Sequence, residues 1–272
     1  MLTENLFKKR LREPGAQIGI WSCVADSIIT ELVASIGFDW ILLDGEHTPS
    51  DTRTVALQLQ AAAAYPTQAI VRPPVGDAVH IKQLLDVGAQ TLLIPMVDSA
   101  AQAQMLAESA CFPPAGIRGV ASLTRASRWG LAPDYLHSAR DNICLIVQIE
   151  SVTAVANVDE IARVEGVDAI FIGPADLAAS LGHLGNPAHP EVQRAVSHVA
   201  ERSHAAGKPV GTLTADLNLA ATCISSGFDF VGVGVDTSLL RSALFSLRTQ
   251  FEKSPAVPIV EAKPLVSRVT DS

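Results

Sequence analysis

Aromatic residues are scarce in this 272-residue chain, at 5%, although apolar residues overall reach 48%. An interior short of rings must be filled by Val, Ile, Leu and Ala, the filling expected of parallel strands covered by helices. Basic residues are also in deficit: 20 Lys and Arg against 28 Asp and Glu leave a net charge of −8. With no basic stripe to release counterions, nucleic acid and anionic membranes are excluded as partners. A small anionic substrate stays open, provided a metal ion or an arginine reverses the field locally. The cysteines, Cys23, Cys111, Cys144 and Cys223, form no C-x-x-C pair. They read as buried free thiols rather than as a redox or zinc centre. No apolar stretch approaches the roughly 20 residues that span a bilayer. The segment Met1–Leu11 has an amphipathic helix pattern without a secretory apolar core, so a cytoplasmic protein is expected.

What is present is an alternation. Apolar strand-like runs occur at Ile18–Trp21, Trp40–Leu43, Ala69–Val71, Thr91–Ile94, Cys144–Ile149, Ala169–Ile172, Pro209–Leu213 and Phe230–Val233. Segments with helical spacing lie between most of them: Thr52–Ala63, Val79–Val87, Ala100–Ser109, Val152–Val164 and Leu217–Ser226. Strands alternating with helices imply right-handed parallel crossovers, and eight strands close naturally into a (β/α)8 TIM barrel. The chain is therefore expected to be a single α/β domain, a barrel over residues 1–252 with a flexible tail at 253–272. An open doubly wound sheet is the alternative, weakened because no Gly-x-Gly-x-x-Gly turn follows the first strand. The aperiodic stretch Phe112–Arg140 is long enough to be an active-site loop with a short helix.

In such a barrel, function gathers where strands end at their carboxyl side. The second run is followed by Asp44-Gly-Glu-His47, the third by Arg72-Pro-Pro, the fifth ends in Gln148-Ile-Glu150, and the sixth runs into Gly173-Pro-Ala-Asp176. Acid, base, cation and amide thus converge on one mouth. Glu150 and Asp176 are the candidate metal ligands, because two carboxylates with water and a chelating substrate make an oxygen-rich shell suited to Mg2+, Mn2+ or Co2+. The plainer reading makes each a cap for the helix that follows. His47 is the candidate proton carrier. Its carboxylate partner is either Asp44, close in sequence, or Asp86, which ends Ile81-Lys-Gln-Leu-Leu-Asp86. The other histidines fall in helical or loop segments, where a satisfied structural role is the expectation. Arg72 would stabilise negative charge developing on a substrate oxygen, or else make a salt bridge at the rim. Backbone N–H groups around Ala175 and Asp176 could hold a carboxylate. Arg118, in Gly116-Ile-Arg-Gly119, is either structural or closes over an anionic substrate.

This set suits enolate formation from a 2-oxo acid, with a metal chelating the keto and carboxylate oxygens. An imine route would need a lysine at the mouth. The lysines are Lys8, Lys9, Lys82, Lys208, Lys253 and Lys263; Lys208 enters the seventh strand from the non-catalytic side, and the rest lie in helix or tail.

From about Asn5 to Phe251 the chain resembles the class II pyruvate aldolases related to the citrate lyase beta subunit. The resemblance rests on Phe38-Asp-Trp-Ile-Leu-Leu-Asp-Gly-Glu-His47, Ile81–Asp86, Pro113-Pro-Ala-Gly-Ile-Arg-Gly119, Val147-Gln-Ile-Glu150, Phe171-Ile-Gly-Pro-Ala-Asp-Leu177 and Gly232-Val-Gly-Val-Asp-Thr237. It implies His47 as general base assisted by Asp86, and Arg72 as transition-state stabiliser. It further implies Gln148, Ala175 and Asp176 on the pyruvate moiety, and Glu150 and Asp176 on one divalent ion per subunit. The reaction implied is reversible cleavage of 4-hydroxy-2-oxoheptanedioate to pyruvate and succinate semialdehyde, in aromatic-acid breakdown. The resemblance also implies a homohexamer, a trimer of dimers with C-terminal helices exchanged. Two rivals stand beside it: an aldolase for 2-dehydro-3-deoxyglucarate or 2-keto-3-deoxyrhamnonate, and a barrel that binds a metal and a 2-oxo acid without turnover.

Overall fold

The computed structural model describes residues 4–251, so the expectation for the 253–272 tail lies outside the described residues. Eight parallel strands close into a barrel in sequence order: β1 Gln17–Ser22, β2 Trp40–Asp44, β3 Gln68–Arg72, β4 Thr91–Ile94, β5 Cys144–Ile149, β6 Ala169–Ile172, β7 Val210–Leu213 and β8 Phe230–Val235. The (β/α)8 barrel expected from the sequence is the fold observed. The chain divides into two compact units, the first ending at Thr237 and the second beginning at Ser238.

Successive strand residues face opposite sides of the sheet. On β2, Ile41 and Leu43 face out against the helices, while Trp40 and Leu42 fill the barrel interior with Ile70, Leu93, Ile146, Phe171 and Phe230. The scarce aromatics are concentrated here. The first helix, Leu6–Arg10, delivers Phe7 into the same cluster, edge-on to Phe230 with centroids 5.4 Å apart. That interior leaves no room to spare at Gly19, where a Cβ would lie 2.0 Å from the Trp40 indole. Gly19→Ala is expected to cost about 3 kcal/mol through overpacking, read as a lower urea midpoint; an unchanged midpoint would mean that Trp40 can move.

Acidic and hydroxyl side chains cap the helices that leave the mouth. Asp51 caps Thr52–Ala62, Asp77 caps Ala78–Asp86, Ser99 caps Ala100–Ser109, and Ser151 caps Val152–Ala156. The helix expected over Val152–Val164 is broken at Asn157, whose side chain donates to the Asp98 carbonyl at 2.7 Å, and it resumes at Val158–Ala162. The long aperiodic segment does contain a short helix, Tyr135–Ser138. All four cysteines are free, with Cys144 and Cys223 buried and the other two partly so. Among the described residues, no helix is long and apolar enough to cross a membrane. The last helix, Asp236–Phe251, bears exposed Leu239, Leu240, Leu244, Phe245, Leu247 and Phe251.

Candidate active site

The end of β2 and the end of β3 are in register, with Asp44 opposite Arg72. Their side chains meet as a fork: Arg72 donates from Nε to Asp44 Oδ1 at 2.9 Å and from Nη2 to Oδ2 at 2.7 Å. Its remaining nitrogen, Nη1, lies 2.8 Å from Glu46 Oε2. Burial alone would raise the pKa of Asp44, but the two bonds from Arg72 and its charge hold that carboxyl below its usual range. The Arg72 guanidinium also sits 5.0 Å from the Trp21 ring, and the indole donates to Asp44 Oδ2 at 3.3 Å. The tight turn after β2 needs Gly45, because a Cβ there would lie 2.7 Å from the Arg72 carbonyl oxygen. This turn projects His47 outward, its side chain 65% exposed and its Nε2 3.8 Å from Glu46 Oε2.

On β5, residues 148 and 150 share the inward face, two apart. Gln148 Nε2 donates to Glu150 Oε2, and the Met96 backbone N–H donates to Oε1 at 2.7 Å. Met96 adopts a left-handed backbone, φ 54°, to make that contact. Burial, with the nearby charges of Asp176 and Glu46 adding to it, pushes the Glu150 carboxyl up to about 7. Next to this pair, Gly173 admits no side chain: a Cβ would fall 2.5 Å from Glu150 Oε2 and 2.8 Å from Gln148 Nε2. Asp176 lies in the first turn of Pro174–Ser180. Neither Glu150 nor Asp176 is a helix cap. Ser151 caps the helix after β5, and Gly173 occupies the cap position before Asp176.

A cavity of about 550 Å3 is lined by Trp21, His47, Arg72, Gln148, Ala175 and Asp176 among others, while the buried Glu150 reaches it through its hydrogen bond with Gln148. No lysine is among its lining residues. Lys8 lies 3.1 Å from Asp168, and Lys208 donates to the Val167 carbonyl, both on segments that enter strands from the opposite rim. A divalent cation fits the donor set. Glu150 and Asp176 supply charged oxygens that otherwise repel one another, and the buried Gln148 Oε1 has no hydrogen-bond partner. An all-oxygen set of this kind suits a hard divalent ion.

Two expected site residues are placed elsewhere within the chain. Asp86 does not reach His47. Helix Ala78–Asp86 starts at the mouth and runs back along the barrel, carrying its last residue about 13 Å toward the other rim. There Asp86 accepts from Arg118 Nη2 at 2.7 Å. Arg118 itself is 0% exposed, stacked 4.4 Å from the Phe112 ring and 3.1 Å from Tyr135 Oη, so within one chain it does not close over the cavity. Conversely, the sequence reading assigned no role to Trp21 or Glu46, both of which touch Arg72. Trp21 could have been found by the rule that located the others, since it stands at the carboxyl end of β1 and shares the inward face.

Comparison with known proteins identifies the family. The sequence pattern of the family described as HpcH/HpaI aldolase/citrate lyase matches residues 17–243. A hydroxypyruvate/pyruvate aldolase of Pseudomonas aeruginosa is 54% identical, the alignment covering 94% of this chain and 96% of that protein. A 4-hydroxy-2-oxo-heptane-1,7-dioate aldolase of Shigella sonnei is 52% identical over 91% of this chain and 95% of that one. Among solved structures, an HpcH/HpaI aldolase/citrate lyase family protein from Burkholderia cenocepacia superposes with a TM-score of 0.88 at 38% identity, covering 91% of this chain and all of that one. A pattern match over residues 17–243, and relatives more than half identical along nearly the whole chain, show that the chain belongs to the HpcH/HpaI aldolase/citrate lyase family.

Proposed function

We propose that this protein is a class II aldolase that reversibly cleaves 4-hydroxy-2-oxoheptanedioate to pyruvate and succinate semialdehyde. The observation that carries the reading is the cavity lined by Arg72, Gln148 and Asp176, with Glu150 bonded to Gln148 and no lysine among the lining residues. Glu150 and Asp176 would hold one Mg2+, Mn2+ or Co2+ ion. When bound, that ion would polarise the keto oxygen of the pyruvate unit and lower the acidity barrier at the neighbouring carbon. The side chains do the rest. Gln148 and the start of the helix at Ala175 orient the pyruvate carboxylate. His47, on the exposed turn, takes the proton of the C4 hydroxyl as the C3–C4 bond breaks to release succinate semialdehyde, and returns a proton to C3, which becomes the pyruvate methyl group. Arg72, held rigid by Asp44 and Glu46, stabilises the negative charge that develops on oxygen.

EDTA-treated protein is expected to release pyruvate from the diacid at under about 1% of the untreated rate, and to recover with Mg2+, Mn2+ or Co2+, since such an ion supplies several kcal/mol to the transition state. Full activity after stripping would overturn the metal assignment. No pyruvate from the diacid with any of the three ions would overturn the substrate, and would favour the barrel that binds without turnover.

A second reading is favoured by the 54% identical Pseudomonas aeruginosa relative, whose name gives hydroxypyruvate as donor beside pyruvate. Comparing kcat/KM for pyruvate and hydroxypyruvate, each with succinate semialdehyde, separates the two donors. Exchanging succinate for tartronate semialdehyde tests the sugar-acid alternative. The exposed leucines and phenylalanines of Asp236–Phe251 support a homohexamer with exchanged C-terminal helices, because such a face is costly in water. Light scattering at the mass of six chains is the expected result.

A further inference from the structure

Beside the cavity, adjoining its lining residues Pro187 and Gln193 in the chain, stands a second group of side chains of metal-ligating type that the aldol reaction does not use. His183 follows the helix that carries Asp176, while His189 caps the helix Pro190–Ala205 and Glu191 stands in its first turn. One ligand atom from each falls within 4.8 Å of the other two. His183 Nε2 is 2.8 Å from Glu191 Oε2, and the two imidazoles stack with centroids 3.5 Å apart and planes 20° from parallel. Tetrahedral ligands of zinc, at about 2.0–2.1 Å from the ion, stand roughly 3.3 Å from one another, so the spacing found here brackets what such an ion requires.

We propose that His183, His189 and Glu191 form a second cation site, selective for a borderline ion such as Zn2+, distinct from the oxygen-rich pair Glu150 and Asp176. Two imidazoles and one carboxylate suit zinc, whereas hard ions such as Mg2+ take oxygen donors. His183 and Glu191 already converge through the atoms they would offer. His189 joins through Nδ1, which now accepts the Glu191 backbone N–H at 3.2 Å, so binding exchanges one helix-cap hydrogen bond for a metal bond and turns the rings out of their stack. Glu191 is partly exposed, which gives the ion a path from solvent. Pro187, between His183 and His189 in the chain, and Gln193, two residues after Glu191, line the substrate cavity. An ion held here would therefore brace that wall.

The test is Zn2+ binding by the full chain in excess Mg2+, followed by equilibrium dialysis, with amide hydrogen exchange as a second measurement. The variants are His183→Phe and His189→Asn; the latter keeps a capping side chain. The parent is expected to bind one more Zn2+ per chain than either variant, and Zn2+ is expected to slow exchange across residues 181–190 in the parent alone. Equal zinc stoichiometry in parent and variants, or zinc-dependent protection that survives both substitutions, would overturn the proposal.

Discussion

Arg72→Ala is expected to lower kcat for diacid cleavage by about 100- to 1000-fold, the range for removing a donor aimed at developing negative charge, or about 2.7–4 kcal/mol. The geometry explains why the effect should fall on kcat rather than on binding. Arg72 is fixed on three sides, by two bonds to Asp44, one contact to Glu46 and the face of Trp21. A cation held this rigidly reorganises little when the charge appears. The same substitution is expected to destabilise the fold by about 3–5 kcal/mol, because it leaves the buried Asp44 without its partner. Arg72→Lys separates the two effects. Lysine keeps the charge but cannot form the fork, so the variant should recover part of the stability while kcat remains at least tenfold low. If Arg72→Ala folds and turns over within tenfold of the parent, the developing charge is stabilised elsewhere.

The parts of this architecture that the sequence reveals are those written in strand periodicity. Trp40, Leu42 and Asp44 alternate inward, and so do Cys144, Ile146 and Gln148, so the residue at each strand's carboxyl end must join the mouth. That reasoning places Asp44, Arg72, Gln148 and Glu150 without coordinates. It does not extend to residues on helices and loops. Asp86 is a helix residue, and a nine-residue helix carries its end to the opposite rim. Arg118 lies in an aperiodic segment whose backbone follows tertiary contacts, among them the stack on Phe112 and Tyr135, rather than local pattern. The break at Asn157 is likewise tertiary, since it serves a carbonyl 59 positions earlier in the chain. Carboxylates posed a different difficulty. Asp51, Asp77 and Asp216 look in sequence like Glu150 and Asp176, yet they are helix caps. The neighbouring Ser151 and Gly173, which take the cap positions, set apart the pair proposed as metal ligands.

His47→Ala is expected to abolish exchange of the pyruvate methyl protons with solvent, by at least 100-fold, while changing stability by no more than about 0.5 kcal/mol. The two halves of this expectation share one origin. His47 stands on an exposed turn with Glu46 3.8 Å from its Nε2, so removing the ring opens no cavity and leaves no buried charge. Proton exchange followed by NMR in D2O, with Mn2+ kept out of the tube and Mg2+ supplied, reads the carbon-acid step without the aldehyde. Glu46 is the natural competitor for the role, since its carboxylate lies next to both His47 and Arg72. Its carboxyl is pushed up chiefly by burial, against the pull of Arg72. Glu46→Gln should keep the hydrogen-bond acceptor facing Arg72 and retain exchange within about tenfold, because general acid–base catalysis by the true base is worth 100-fold or more. If exchange persists in His47→Ala and disappears in Glu46→Gln, the base is the partly buried Glu46 carboxylate, and the imidazole serves only to adjust its charge.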